Sequence, residues 1–253
     1  MRLIKVVRYP VKSLQGENLS SADIEPDGLH GDRRWGIRDE RTGKILTARR
    51  APHLLFASAA LAADDAPVIT LPTGVTCRGP GAETDEALSS WLDQPVRLVN
   101  SVSTPPAQAE FFEDATDDTS QAVEWTMPAG RFVDALPLLV LTTASLRTGA
   151  ALYPDGEWDV RRFRPNLLVD VDGEGWLEDS WYGRTSIRVG AVELQPQQGC
   201  VRCTMVTRPQ PDLPEDRDIF RTLARNHRGT FGAWTSVGTG GSIRVGDEVG
   251  VHE

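Results

Sequence analysis

The 253-residue sequence predicts a mainly β, α+β fold, a β-rich barrel or sandwich with three or so short helices. Short runs of apolar and β-branched residues recur along the chain, separated by Gly, Pro and Asp. Only three stretches combine helical apolar spacing with helix start signals. At 27.7 kDa there is room for one large domain or two packed subdomains.

Residues 2–8 read as the first strand, stopped by Pro10, which has no amide proton for a ladder. Residues 33–38 and 44–48 flank the turn-rich Asp39-Glu40-Arg41-Thr42-Gly43 and read as a hairpin. Residues 54–61, 67–71 and 95–99 are further short strands. Thr84 to Leu92 reads as a helix, acidic in its first turn, with Ala87, Leu88, Trp91 and Leu92 on one side. Residues 101–128 hold Glu110, Glu113, Asp114, Asp117, Asp118 and Glu124 and no basic residue, so they are expected to be a solvated acidic linker. A carboxylate metal site is the alternative there, with nothing in the spacing to fix its geometry. Strands follow at 138–142, 166–171, 186–194, 203–207 and 242–249, with tight turns of a late hairpin at Val189-Gly190 and Val245-Gly246-Asp247. Ser145 to Leu152 is a helix that Thr142 or Thr143 can cap, and Pro214 to Asn226 is one opened by Pro-Glu-Asp. No internal repeat is visible. The expected organisation is an N-terminal β-rich subdomain over 1–100, an acidic linker over 101–128 and a core domain over 129–252.

The chain is 40% hydrophobic and 25% charged, which excludes a disordered or fibrous protein. No run approaches the roughly 20 apolar residues of a membrane helix, and Met1-Arg2-Leu3-Ile4-Lys5 leads straight into strand-like sequence rather than a secretion signal. A cytoplasmic protein without a membrane partner is expected. The net charge is −9, all of it in residues 101–253, because 1–100 are neutral. So acidic a chain lacks the footprint of a nucleic-acid binder. Of its 27 basic residues only Lys5, Lys12 and Lys44 are lysines. Arginine forks suit bidentate anion recognition where they cluster.

The three cysteines do not make a disulfide framework: Cys77 is isolated, and Cys200 and Cys203 form one CxxC. A structural zinc site needs four ligands, and only Cys77 and the scattered His30, His53, His227 and His252 could complete it. A thioredoxin-type pair needs its first cysteine at a helix start, but strand-like Thr204-Met205-Val206-Thr207 follows. A single reactive thiolate beside Arg202 is the third reading, and a thiolate is a soft metal ligand. The fourth is a pair of small buried hydrophobes.

Arginine runs stand out against the acid: Asp32-Arg33-Arg34-Trp35, Ala48-Arg49-Arg50, and Arg161-Arg162-Phe163-Arg164-Pro165-Asn166. With Lys12 and Ser13 they suit a phosphate-bearing anion, although each alone reads as a surface charge pair. Neither a P-loop nor G-x-G-x-x-G is present, nor is a G-x-S-x-G nucleophile motif.

Taken in order, these segments resemble one family. Tyr9-Pro10-Val11-Lys12-Ser13, Gly31-Asp32-Arg33-Arg34-Trp35 and Leu46-Thr47-Ala48-Arg49 look like the N-terminal β-barrel region that precedes a MOSC domain. Asp134-Ala135-Leu136-Pro137, Leu141-Thr142-Thr143-Ala144-Ser145-Leu146, Arg162-Phe163-Arg164-Pro165-Asn166, Gly199-Cys200-Val201-Arg202-Cys203 and Ile243-Arg244-Val245-Gly246-Asp247 look like the MOSC core. The family includes the mitochondrial amidoxime-reducing components, the C-terminal domain of molybdenum cofactor sulfurase, and bacterial proteins that detoxify N-hydroxylated bases.

The resemblance implies a MOSC-type β-barrel core and a molybdenum cofactor (molybdopterin). Cys203 is then the catalytic residue and metal ligand, with Cys200 non-essential. The phosphate and pterin would be held by Lys12, Ser13, Arg33, Arg164, Asn166 and Arg202, with Arg49 and Arg162 as further candidates. Ser145, at a helix start, could offer a hydroxyl or backbone N–H to an anion. The implied reaction is two-electron oxygen removal at molybdenum from a small N-hydroxylated substrate such as an amidoxime, N-hydroxy base or N-oxide. The alternative is a carrier of the cofactor or of a cysteine persulfide, without turnover of its own. No haem and no fused iron–sulfur cluster are expected, since no plant-type C-x4-C-x2-C run exists. Electrons would come from a separate ferredoxin or flavin reductase. Pyridoxal phosphate is not expected, because its domain would be missing.

Overall fold

A computed structural model describes residues 1–104, 107–112, 114, 117, 120–183 and 186–252, with the side chains of 111 and 112 left aside. The chain divides into two units. The first comprises Met1–Val7, Asn18–His30 and Leu136–Glu253, and the second Arg8–Glu17 and Gly31–Ala135.

The first unit is built on an eight-stranded mixed sheet. Its order is Val249–His252, Ser186–Val189, Val192–Val201, Thr230–Thr239, Leu138–Thr142, Leu167–Asp170, Arg2–Arg8 and Glu17–Leu19. Leu138–Thr142 is buried throughout, as a central strand packed on both faces must be. The period of two then sorts its side chains. Leu138 and Val140 join a cluster with Leu3, Val6, Leu167 and Val169. Leu141 faces a second cluster with Phe163, Val206, Ile219, Leu223 and Phe231. Leu138–Thr142 runs parallel to Leu167–Asp170 and antiparallel to Thr230–Thr239.

Among the described residues two α-helices belong to this unit. One is Thr143–Leu152, whose cap Thr142 Oγ1 accepts from the Ser145 N–H; the other is Arg217–His227, capped by Asp216. The second expected start therefore moves three residues on: Pro214 lies outside the helix, and Asp216 supplies the cap oxygen. The strand expected over 242–249 is instead two strands with separate pairings. Gly241–Arg244 pairs with Ser21–Glu25, and Val249–His252 with Ser186–Val189. The turn at Val189-Gly190 does form, with Gly190 at φ 57 and Val189 opposite Val192.

In the second unit Trp35–Asp39 pairs with Val96–Asn100. The expected return arm at 44–48 contributes one bridge, Arg38 to Ile45. Ser58–Leu61, Pro67–Thr70 and Thr76–Arg78 form a three-stranded sheet. The strand expected to start at 54 opens as a 3-10 turn, Pro52–Phe56, because Pro52 sits at its first position. The helix α1, Ala82–Leu92, lays Leu88 and Leu92 onto a core with Val11, Leu14, Leu54 and Ile69. We label the helices of the first unit α2 (Thr143–Leu152) and α3 (Arg217–His227). Within the expected acidic linker, Gln108–Phe112 and Ala122–Thr126 pair as antiparallel strands. Glu110 there binds Lys44 at 3.1 Å and Arg50 at 2.5 Å. Glu113 and Asp118 lie outside the described residues. Among the described residues no helix is long and apolar enough to cross a membrane.

Candidate functional site

The strand Val192–Val201 delivers Cys200 to the interior and leaves Cys203 partly exposed just beyond its end. Residues 203–207, expected as a strand, instead form a 3-10 turn, Thr204–Thr207, with Cys203 in extended conformation at its start. The β-branched preference yields to local hydrogen bonding: the Thr207 hydroxyl donates to the Thr204 carbonyl at 2.7 Å.

Two buried guanidinium groups frame this turn. Arg202 donates through Nε and Nη2 to the Phe231 carbonyl at 2.9 and 2.5 Å, and through Nη1 to the Phe163 carbonyl at 3.0 Å. Arg162 is 0% exposed. It donates to the carbonyls of Glu157 (2.9 Å), Pro214 (2.8 Å), Val206 and Arg208 (both 3.4 Å). Burial pushes its pKa down. All these acceptors are backbone carbonyls, and neither arginine has a carboxylate within ion-pair distance among the described residues. Phe163, between Arg162 and Arg164, packs its ring 4.3 Å from that of Phe231. The next residue, Gly232, has φ +78, and a Cβ there would meet the Val140 carbonyl at 2.9 Å. Only glycine meets both constraints.

Several expected anion ligands prove to be spent inside the fold. Arg162 and Arg202 hold loops. Asn166 is fully buried; its side-chain oxygen accepts the Leu139 N–H and its amide donates to the Val7 carbonyl, so it ties three strands. The Ser145 N–H goes to Thr142 Oγ1, and its hydroxyl donates to Glu178. Glu178, which the sequence did not single out, also accepts the Thr142 N–H at 2.7 Å. The start of α2 is thus occupied by a carboxyl group supplied by the chain itself. Burial pushes the Glu178 carboxyl above the ordinary range. The one sequence hint was an acid inside the aromatic run Trp176-Leu177-Glu178-Asp179-Ser180-Trp181. Arg164 is buried and held at φ 54. His227, weighed as a zinc ligand, stacks on Trp176 at 4.3 Å and binds Asp179 at 2.8 Å.

The second unit gathers its own cationic group. Backbone bonds from Lys12 N to the Trp35 carbonyl and from Arg33 N to the Tyr9 carbonyl set residues 9–13 beside 33–35. The Ala48 N–H donates to Ser13 Oγ at 2.9 Å, which brings in the Arg49 loop. Lys12 Nζ donates to the Phe132 carbonyl at 3.0 Å and to Asp134 at 2.5 Å. Arg49 donates to the carbonyls of Asp114 and Asp117. Arg33 pairs with fully buried Asp32 at 2.5 Å and lies 4.6 Å over the Tyr9 ring. The Asp32 charge holds the Arg33 pKa up against desolvation, the larger and opposing influence. Asp32 also accepts the Tyr9 N–H at 2.7 Å.

Each unit by itself carries cationic donors that suit an anion, and the first also carries Cys203, a soft thiol. Cations and a hydroxyl sit on buried loops, and Ser13, Arg33 and Arg164 hold left-handed backbones at φ 71, 49 and 54. Such conformations cost of order 1 kcal/mol each and collect at ligand sites. Among the described residues no group of three His, Cys, Asp or Glu side chains could hold a metal.

The comparisons agree with this chemistry. The chain is similar to mitochondrial amidoxime reducing component 2 of Homo sapiens, 26% identical over 288 residues, covering 95% of this chain and 80% of that protein. Mitochondrial amidoxime-reducing component 1 of Danio rerio is 26% identical over 283 residues, covering 97% and 83%. Molybdenum cofactor sulfurase of Drosophila grimshawi is 24% identical over 266 residues, covering 93% of this chain and 32% of that protein. The MOSC N-terminal beta barrel domain matches residues 1–115, and the MOSC domain matches residues 129–250. With both matches in this order over nearly its whole length, the chain belongs to the MOSC domain family, carrying an N-terminal MOSC β-barrel region ahead of the MOSC domain.

Proposed function

We propose that this protein is a molybdenum-cofactor reductase of N-hydroxylated compounds. The observation that carries the reading is Cys203, a partly exposed thiol at the start of a turn framed by the carbonyl-bound guanidinium groups of Arg162 and Arg202. Cys203 is the metal ligand. Arg164 on its left-handed backbone is the anion donor proposed in this unit. Lys12, Ser13, Arg33 and Arg49 are proposed as an anion-binding group of the second unit. When bound, the molybdenum cofactor supplies a two-electron redox centre. The net reaction on an amidoxime takes two electrons and two protons, breaks the N–O bond, and releases an amidine and water. The chain's part is to fix the thiolate and orient the substrate. The electrons come from a separate donor protein.

The test is molybdenum content after purification from a host that makes the cofactor, compared for wild type, Cys203→Ala and Cys200→Ala. The expected result is near-stoichiometric metal in wild type and Cys200→Ala, little in Cys203→Ala, and benzamidoxime reduction that follows the metal. Equal loss from both variants defeats the single-ligand assignment. Wild-type protein without molybdenum defeats the cofactor reading.

A further inference from the structure

The helix α3 has two unlike faces. Ile219, Phe220, Leu223 and His227 are buried. Arg217, Arg221, Arg225 and the cap residue Arg228 are all exposed. At about 100° per residue the three helical arginines Arg217, Arg221 and Arg225 fall within about 80° of one another, away from the buried stripe, and Arg228 follows at the left-handed cap. The helix dipole accounts for cations in the last turn, but it disfavours Arg217 in the first. Arg217 pairs with Glu215 at 2.8 Å and Arg221 with Asp218 at 3.0 Å. Arg225 and Arg228 have no ion pair among the described residues. Beside two neutralised arginines, Arg225 and Arg228 thus present unpaired positive charge to solvent on a chain of net charge −9.

The row lies behind the candidate site. Ile219, Phe220 and Leu223 pack in one cluster with Val206, in the turn that Cys203 begins. The Asp216 N–H donates to the Thr207 carbonyl at 2.9 Å, tying the start of α3 to the end of that turn. One helix thickness, about 10 Å, separates a partner on the outer face from the turn.

We propose that the exposed arginine face of α3 is the docking surface for a small acidic electron-transfer protein that reduces this site. The proposal rests on the reductase reading above. Charge complementarity selects the occupant: on a chain of net charge −9, the unpaired Arg225 and Arg228 with Arg221 beside them favour an acidic partner at this face. Opposed patches raise the association rate and fix orientation, and salt weakens them.

The experiment uses a plant-type [2Fe–2S] ferredoxin as probe and the triple variant Arg221→Glu/Arg225→Glu/Arg228→Glu. Binding is titrated calorimetrically at low salt and at about 1 M salt, where the screening length falls to about 3 Å. Wild type is expected to bind at low salt and release at high salt, and the variant to bind at least about tenfold more weakly with little salt dependence. Ferredoxin-driven kcat/KM for benzamidoxime should fall by a similar factor, while viologen-driven turnover stays at the wild-type value. Equal affinities in wild type and variant overturn the proposal, as does no binding by wild type. A matching fall in viologen-driven turnover also overturns it, because the row then acts on the site and not on the donor. Binding of phosphatidylserine vesicles with ferredoxin ignored reassigns the row to a membrane surface and overturns it too. Wild type without viologen-driven turnover defeats the reductase reading, and the binding titration still decides the docking surface.

Discussion

Replacing Arg162 by methionine tests whether the turn after Cys203 is held by the arginine clamp. The substitution keeps an apolar stem and removes the donors at 2.9 and 2.8 Å to Glu157 and Pro214 and the two longer ones at 3.4 Å. Each short charge-assisted bond to a buried carbonyl is worth about 1.5–3 kcal/mol, so the two together give about 3–6 kcal/mol gross. The guanidinium is desolvated without a carboxylate partner, and removing that penalty returns part of the loss. The net destabilisation expected is about 2–4 kcal/mol. With a urea m-value near 3 kcal/mol/M, the unfolding midpoint followed by tryptophan fluorescence drops by about 1 M. Amide exchange should quicken first in residues 204–214, which the clamp ties down. A midpoint within about 0.2 M of wild type, with exchange there unchanged, refutes the clamp. Arg162→Lys should resemble Arg162→Met, since one ammonium cannot span four carbonyls.

Three further substitutions probe other parts of the fold. Glu178 is protonated more readily in the folded protein than in the unfolded one, so its contribution is full at low pH and is lost as pH rises past the ordinary glutamate range toward its raised folded value. Glu178→Gln should flatten that part of the stability–pH curve, and an unchanged slope between pH 4 and 8 counts against it. Asp32→Asn leaves the Arg33 guanidinium without its carboxylate in a buried setting, and thermal melts should show a loss of about 2–4 kcal/mol. Gly232→Ala forces a Cβ into the Val140 carbonyl at φ +78, at an expected cost of about 1–3 kcal/mol in the same melts; a neutral result would show that the strand shifts freely.

Much of the β framework was legible because the apolar period of two survives in tertiary context. Leu138–Thr142 and Pro67–Thr70 fall where the runs predict. The failures share a cause. Residues 203–207 have strand composition, but Arg162, some forty residues away in sequence, holds the carbonyls of Val206 and Arg208. The 44–48 arm looked like the partner of Trp35–Asp39, which instead pairs with Val96–Asn100 from beyond α1. At the site, residue types were readable and their employment was not. Arg162, Asn166 and Ser145 carry the right donors, yet each donor's acceptor is fixed only by packing. Glu178 was missed because the one local hint, an acid inside an aromatic run, applies equally to its exposed neighbour Asp179.

The carboxylate at the start of α2 has a consequence for selectivity. Glu178 is a competitor tethered by the chain, so its effective concentration at those N–H and hydroxyl donors far exceeds that of any dissolved anion. A phosphate or carboxylate metabolite in the cell meets a place already taken and gains nothing by approaching it. The fold thereby retires a potential off-target anion site.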